Sequence, residues 1–301
     1  MKLGCNTILF NQLDLYGALQ HIAWAGYDGA ELSDLRPGNS TDLINLISVQ
    51  HMELNTDQSY IDEVKWIAKK HGLELFSINT EEEGETDEDK IKSMTKVFDM
   101  ALKLSIPIVV PYLHGKSGNK EVIKRNLKYI RRLTEQAGSR GITLAISIHT
   151  CTPIDNTSTA IQMLDDIDSS ALGVTLDTRE ICRAGDDPSE AVTKIGKRIV
   201  YFHCRDYPRL EQIPRTASLV YSSLSGQYEP WLPPVNQQIP GRGGVDFPKI
   251  LKLLKNTGYN KVVDVVMAGA LTYSLSKQMG IAAESRGYLN RCLQELKQDG
   301  N

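Results

Sequence analysis

The stretch GVTLDTRE, residues 173–180, carries the pattern on which the fold prediction rests. Its apolar and β-branched residues Val174, Thr175 and Leu176 predict a short buried strand, and this run ends at the carboxylate of Asp177. Similar runs recur along nearly the whole chain, and longer amphipathic segments lie between them. This alternation predicts repeated βα units around a parallel sheet.

Counting the runs gives eight predicted strands and eight predicted helices. The strands are residues 3–8, 29–33, 74–79, 108–113, 143–149, 173–178, 199–205 and 262–267. The helical patterns are residues 15–25, 60–71, 87–104, 120–137, 157–168, 188–195, 247–257 and 271–296. Gly26, Gly72 and Gly258 follow the last apolar turn of three of them, where a left-handed residue commonly closes a helix. We therefore predict an α/β fold, a closed (β/α)₈ TIM barrel. An open sheet more often has a glycine-rich phosphate turn after its first strand, and this sequence has no such turn there.

One long segment breaks the alternation. Residues 207–245 follow the seventh predicted strand, are rich in Pro, Gln, Ser and Tyr, and place Trp231 between Pro230 and Pro233. A connection of this length is usually a lid or binding loop and occasionally a disordered excursion. We predict a single domain over residues 1–301, with 207–245 as a lid-like loop over the active face.

The composition narrows the classes of partner. Lys and Arg number 34 and Asp and Glu 37, which gives a formal net charge of -3. Because nucleic-acid binding requires a concentrated cationic surface to neutralise the phosphates, we expect no nucleic-acid partner. The longest uncharged apolar run, residues 106–113, is too short to span a bilayer, so we expect no membrane partner either.

The cysteines indicate the compartment. Five are present, widely scattered and without a C-x-x-C pair. This usage fits free buried thiols better than disulfides or a thiolate zinc site, and no secretory signal precedes Cys5, so we expect a cytoplasmic protein.

In a (β/α)₈ barrel the active site lies at the carboxyl ends of the strands, so polar residues there are the candidates. Of the six histidines, His114, His149 and His203 lie at or near strand ends. Asp177 ends the sixth predicted strand, and Glu180 follows three residues later. The pair resembles a D-x-x-E clamp for one cation, although Asp177 could instead bond backbone amides or Arg179, with His203 a satisfied core histidine.

An ordered set of motifs carries a family resemblance. The set is GYDGAEL at 26–32, Asp177, FHCRD at 202–206, PGRGGVDF at 240–247 and GY at 258–259. Together these resemble the sugar phosphate isomerase/epimerase family with the xylose isomerase-like TIM barrel, over almost the whole chain.

The resemblance implies a divalent metal held by Glu, Asp, His and Glu at the ends of strands five to eight. Asp177 and His203 match the second and third ligands, whereas Ser147 and Val266 stand where the two glutamates are expected. In the epimerase type those glutamates also move the proton beside the carbonyl. The metal is therefore expected only if the site has been rebuilt.

We hypothesise a rearranged metal site of His149, Asp177, Glu180 and His203, which would take Mn, Zn, Mg, Fe or Co. The candidate catalytic residues are Glu180, His149 and Glu31. For substrate binding the candidates are His114, Arg205 and Trp231, with Arg205 placed to meet an oxyanion or phosphate. If the site is abandoned, the same pocket would bind ligand without metal.

The leading functional hypothesis is a sugar or polyol isomerase or epimerase, or a related dehydratase or lyase, that transfers a proton next to a carbonyl. The alternative is a degenerate barrel that binds a carbohydrate or metabolite without turnover. An abasic-site endonuclease is disfavoured because its three-metal site needs more His and acidic ligands. A homodimer is a further expectation, since such barrels often dimerise.

Overall fold

The computed structural model describes residues 1–35, 49–52, 56–113, 120–149, 152–208, 219–222, 227–230, 239–267 and 273–298. Its strands are β1 Lys2–Asn6, β2 Gly29–Leu35, β3 Val49–Gln50, β4 Glu74–Glu81, β5 Ile108–Tyr112, β6 Thr143–Ser147, β7 Leu172–Asp177, β8 Ile199–Cys204, β9 Leu219–Ser222, β10 Gln227–Pro230 and β11 Val262–Val265. Its α-helices are α1 Leu15–Trp24, α2 Gln58–Lys70, α3 Asp87–Leu104, α4 Lys120–Gly138, α5 Thr157–Ile167, α6 Thr178–Arg183, α7 Pro188–Ile195, α8 Phe247–Asn256 and α9 Leu275–Gln298.

Eight of the strands form the barrel. Their order is β1, β2, β4, β5, β6, β7, β8 and β11, every neighbouring pair is parallel, and β1 pairs with β11 to close the ring. The predicted (β/α)₈ barrel is confirmed. In the described part of the chain, no helix is long and apolar enough to cross a membrane.

The helix ends follow the local sequence signals. Gly26, Gly72 and Gly258 all have positive φ, as their positions after α1, α2 and α8 predict. Thr86 and Asp89 form a reciprocal capping box at the start of α3. These caps fix the helix boundaries within a residue or two of the predicted ones.

Several elements differ from the sequence prediction. Strand β1 ends at Asn6, whose side chain caps a 3₁₀ turn at Thr7–Phe10, whereas the predicted strand, 3–8, included the first two residues of this turn. Two helices, α6 and α7, follow β7 where one was predicted. Within the segment 207–245, β9 and β10 form an antiparallel hairpin. The rest of that segment from 209 to 238 lies outside the described residues, so the lid remains a prediction.

The barrel interior changes character along its axis. Toward the amino ends of the strands it is filled by an apolar layer of Phe76, Ile108, Val110, Ala145, Tyr201 and Val262. Gly29 makes room for the ring of Phe76, since a Cβ there would lie 2.5 Å from that ring. Beyond this layer the inward positions are polar or charged, and these residues form the candidate site.

Candidate active site

A row of ionisable side chains, called here the charged row, crosses the carboxyl end of the barrel. In order it is His149, Glu180, Arg205, Asp177, His203 and Glu31. Each member lies within 4.0 Å of the next, and all but His149 are buried. His149 follows β6 and keeps 15% of its side chain exposed, so solvent reaches this end of the row.

Asp177 sits at the junction of β7 and α6. One carboxylate oxygen, Oδ1, caps α6 by accepting the backbone N–H groups of Arg179 and Glu180 at 3.0 and 3.2 Å. The other oxygen, Oδ2, accepts a hydrogen bond from Nη1 of Arg205 at 3.0 Å. The costly burial of this carboxylate is therefore offset by amide and guanidinium donors.

Glu180 is surrounded by arginines. Arg179 donates to its Oε1 at 2.5 Å, Arg183 donates to its Oε2 at 2.9 Å, and Arg205 lies 3.6 Å from Oε1. Burial alone would raise the pKa of Glu180, but His149 and the three guanidinium groups hold that pKa well below its usual range. Glu180 is therefore ionised at neutral pH, and its Oε2 lies 3.4 Å from Nε2 of His149.

His203 connects the row to a deeper acidic group. Its Nε2 lies 2.9 Å from Oε2 of Glu31, while its Nδ1 is 3.9 Å from Oδ2 of Asp177, beyond hydrogen-bond distance. Glu31 also accepts hydrogen bonds from Asn6 at 2.5 Å and from Ser77 at 2.8 Å. The Glu31 carboxylate is thus fixed by three neighbours from three different strands.

Asp264, which was not among the predicted site residues, completes this deeper group. Ligand atoms of Glu31, His203 and Asp264 lie within 4.8 Å of one another, and all three residues are buried. Neither oxygen of Asp264 makes a hydrogen bond of normal geometry. Burial, together with the nearby Glu31 carboxylate, raises the pKa of Asp264 well above its usual range.

A signal for Asp264 was present in the sequence. Asp264 interrupts the apolar run VVDVV at 262–266, and Asp177 ends the apolar run at 174–176. Burying a carboxylate is costly at both positions. Arg179 and Arg183 were not identified as site residues either. The six-residue helix α6, which turns both arginines toward Glu180, was not predicted.

The remaining predicted residues are distributed as follows. Arg205 and Glu31 lie in the row, whereas His114 and Trp231 lie outside the described residues. Ser147 ends β6 and Val266 follows β11. Because these residues are a serine and a valine, neither position supplies a carboxylate. The assignment of His149, Asp177, Glu180 and His203 as metal ligands stays a prediction.

Two donor sets can be compared with the divalent cation that the resemblance implies. At Asp177 every carboxylate oxygen already accepts an N–H group, so a cation there would have to displace the guanidinium of Arg205. Glu31, His203 and Asp264 instead offer two carboxylates and an imidazole, and neither buried oxygen of Asp264 makes a hydrogen bond of normal geometry, although the Tyr201 hydroxyl acts on this carboxylate. This oxygen and nitrogen set fits Mn²⁺, Fe²⁺, Co²⁺ or Zn²⁺.

Asp206 explains why two of the sequence motifs occur together. Its carboxylate accepts the backbone N–H groups of Tyr207, Gly241, Gly243 and Val245 at 2.8 to 3.1 Å. A Cβ at Gly243 would lie 2.2 Å from the Asp206 side chain, so only glycine fits. The FHCRD and PGRGGVDF motifs are thereby joined beside the end of β8.

Two proteins of known function are similar to this chain in sequence. The rhizopine catabolism protein MocC of Rhizobium meliloti is 31% identical over 139 residues, which cover 44% of this chain and 39% of that protein. The match thus spans well under half of that relative. An inosose dehydratase from Clostridium beijerinckii is 21% identical over 253 residues, covering 80% of this chain and 78% of the relative.

Solved structures with the same fold include the following two. A probable 3-DHS dehydratase involved in petrobactin synthesis from Bacillus anthracis superposes with a TM-score of 0.71 at 17% identity, covering 97% of this chain and 100% of that one. The IOLI protein, whose crystal structure has a bound zinc atom, gives a TM-score of 0.69 at 17% identity, with 95% and 96% covered. At these identities the superpositions show the fold alone.

The family assignment rests on a broader match. The family model described as the xylose isomerase-like TIM barrel matches residues 19–292. This range contains every member of the charged row as well as Asp264. The chain therefore belongs to the xylose isomerase-like TIM-barrel family.

Proposed function

We propose that the protein is an enzyme that removes a proton from a carbon next to the carbonyl group of a sugar or of a keto derivative of a polyol. The observation that carries the proposal is the charged row at the carboxyl end of the barrel, which places a histidine and a guanidinium each within 4 Å of the ionised carboxylate of Glu180. A base and an oxyanion partner are the two groups that enolisation requires.

His149 is the proposed base. It is the partly exposed member of the row, and Glu180 lies 3.4 Å from its Nε2. An ionised carboxylate beside an imidazole stabilises the imidazolium that forms when the ring takes a proton. The ring of Tyr112 packs edge-on against the imidazole at 5.0 Å between centroids and limits its rotation.

Arg205 is the proposed oxyanion partner. Its Nη1 is held between Asp177 and Glu180 at 3.0 and 3.6 Å, so the guanidinium is oriented before substrate binds. A preorganised cation stabilises the negative charge that develops on the carbonyl oxygen as the proton leaves. A divalent cation, when bound, would supply additional polarisation of that carbonyl.

Isomerisation, epimerisation and dehydration share this first step. They differ in whether the proton returns to a neighbouring carbon, returns on the opposite face, or a β-hydroxyl leaves instead. The inosose dehydratase relative and the 3-DHS dehydratase fold neighbour support the third outcome. We therefore propose a hydroxyketone of the sugar or polyol class as substrate, with dehydration the favoured step.

The test measures proton removal beside the carbonyl, the step that all three reactions share, rather than the formation of one product. Purified protein is incubated in D₂O with a panel of ketoses and inososes, and NMR measures deuterium incorporation beside the carbonyl. His149→Gln should lower the exchange rate by about 10² to 10⁴, the usual contribution of a general base. Arg205→Met should lower it by about 10² or more. Glu284→Gln, a matched change in an exposed ion pair with Arg242, should leave the rate unchanged.

A second candidate function is binding of a carbohydrate without turnover. It is favoured by Ser147 and Val266, which supply no carboxylate, and by the guanidinium of Arg205 at the expected metal ligand Asp177. Ligand binding by calorimetry without deuterium exchange in the wild-type protein would establish this function. Exchange that persists at the wild-type rate in His149→Gln would instead overturn the assignment of the base.

A further inference from the structure

We propose that Glu31, His203 and Asp264 form a binding site for a divalent cation inside the barrel, at the Glu31 end of the charged row. Its donors come from β2, β8 and β11. The location differs from the one that the family pattern implies, because only His203 is common to both. The class of ligand is a cation that accepts oxygen and nitrogen donors, namely Mn²⁺, Fe²⁺, Co²⁺ or Zn²⁺.

The Asp264 carboxylate, which makes no hydrogen bond of normal geometry, is the first observation behind the site. It is fully buried. Buried carboxylates are normally paired, hydrogen-bonded or bound to a metal. By contrast, Asp177 and Glu180 in the adjoining row each accept two or more N–H donors.

Gly4 provides the second, independent observation. It pairs with Asp264 in the β1–β11 ladder, and a Cβ at position 4 would lie 2.3 Å from Oδ1 of Asp264. The missing side chain lets the carboxylate lean across β1 toward Glu31, which lies on the other side of that strand. The space that holds the Asp264 carboxylate therefore exists only because residue 4 is glycine.

The charges of the group balance around a divalent cation. Two ionised carboxylates and a neutral imidazole carry a charge of about -2, which one divalent ion neutralises in a region of low dielectric constant. Two ligands each about 2.1 Å from one cation are at most about 4.2 Å apart. Since the donor atoms already lie within 4.8 Å of one another, binding needs them to close by less than about 1 Å.

Neighbouring groups already orient two of the ligands. Asn6 and Ser77 hold Glu31, and the ring of Tyr201 packs edge-on against His203 at 5.4 Å between centroids. Such supporting contacts fix the direction in which ligands point. Cys5 and Cys204 alternate with the inward-facing positions of their strands, so thiolate donors are directed away and soft metals are disfavoured.

The proposal concerns binding alone and does not depend on the proposed reaction. The experiment therefore measures metal directly. Protein stripped with a chelator is titrated with Mn²⁺ by calorimetry and with Co²⁺ by visible absorption, and its melting temperature is recorded with and without Mn²⁺. The wild-type protein should bind one equivalent, and the melting temperature should rise because the ion binds the folded state.

Variants locate the site. Asp264→Asn and Glu31→Gln should each weaken Mn²⁺ binding by at least tenfold and abolish the rise in melting temperature, whereas Asp177→Asn and the surface variant Glu284→Gln should change affinity by less than threefold. Because the two ligand variants lie on different strands, one that fails to fold leaves the other as the test. Absence of stoichiometric Mn²⁺, Co²⁺ and Zn²⁺ binding by the wild-type protein would overturn the site and indicate a proton-sharing acid pair. Loss of binding in Asp177→Asn with retention in Asp264→Asn would equally overturn it in favour of the family location.

Discussion

Two adjoining regions of the barrel interior bury carboxylates in opposite ways. Around Glu180 and Asp177, three arginines and a helix N-terminus supply a donor to each carboxylate oxygen. Around Asp264 and Glu31, two carboxylates lie within 4.8 Å of one histidine, which contacts Glu31, and Asp264 makes no hydrogen bond of normal geometry. His203 contacts both regions and separates them.

The difference shows that buried charge in this barrel has two distinct uses. The arginine-rich region is compensated within the protein, so it can be rigid before any ligand arrives. The acidic region is compensated incompletely, so its stability depends on a proton or a cation from outside. Variants that change one carboxylate at a time therefore should have effects of opposite sign in the two regions.

The largest expected effect is in the arginine-rich region. Glu180→Gln removes the anion that holds Arg179 and Arg183, and the new amide N–H₂ group faces guanidinium donors. Breaking one side of a buried pair leaves uncompensated charge, so we expect the free energy of unfolding to fall by about 3 to 5 kcal/mol. Urea denaturation followed by circular dichroism measures this loss. A loss below about 1 kcal/mol would mean that water replaces Glu180 as the hydrogen-bond partner of the arginines, and the contrast between the two regions would not hold.

Much of the barrel could be predicted from the sequence because its signals are local. The strand at 172–177 is mostly apolar and β-branched up to its terminal aspartate, and the glycines at 26, 72 and 258 end helices by a rule that depends only on φ. The 3₁₀ turn after β1 was missed since Thr7 and Ile8 continue the apolar run of that strand. What stops the strand is the Asn6 side chain, which accepts the N–H of Ile8 at 2.8 Å.

The candidate site was predictable only in part because its partners are set by tertiary contacts. The rule that a charge after an apolar run is costly to bury identified Asp177, and applied to VVDVV it would also have identified Asp264. No local pattern indicates that Arg205 reaches Asp177, 28 positions away in sequence. Likewise, the contact between Glu31 and His203 joins residues 172 positions apart and depends on barrel closure.

A smaller effect of opposite sign is expected in the acidic region. Asp264→Asn removes one of two neighbouring buried carboxylates, so in metal-free protein at neutral pH we expect the free energy of unfolding to rise by about 1 kcal/mol. Urea denaturation in the presence of a chelator measures the gain. A loss of several kcal/mol would show that Asp264 is compensated within the protein after all, and the contrast with Glu180 would disappear.

The pH dependence of the free energy of unfolding gives a further test of the role of Asp264. The pKa of Asp264 is raised in the folded state by burial and by Glu31, whereas in the unfolded chain it is about 3.9. The folded state therefore binds more protons above pH about 4, and stability falls as pH rises toward the raised folded pKa. We expect Asp264→Asn to lose this downward slope, which denaturation at a series of pH values would show.

The smallest effect is expected at the surface, where the same chemical groups are in water. Arg242 donates two hydrogen bonds of 2.6 Å to Glu284, yet both side chains are more than 40% exposed. Exposed ion pairs contribute little because solvent screens them and ordering long side chains costs entropy, so Glu284→Gln should change the free energy of unfolding by at most about 1 kcal/mol. High salt should reduce even this difference, while the loss in Glu180→Gln should persist because the buried pair is screened much less. An equally salt-sensitive loss in both variants would mean that water reaches Glu180, and the distinction between the compensated interior and the surface would not hold.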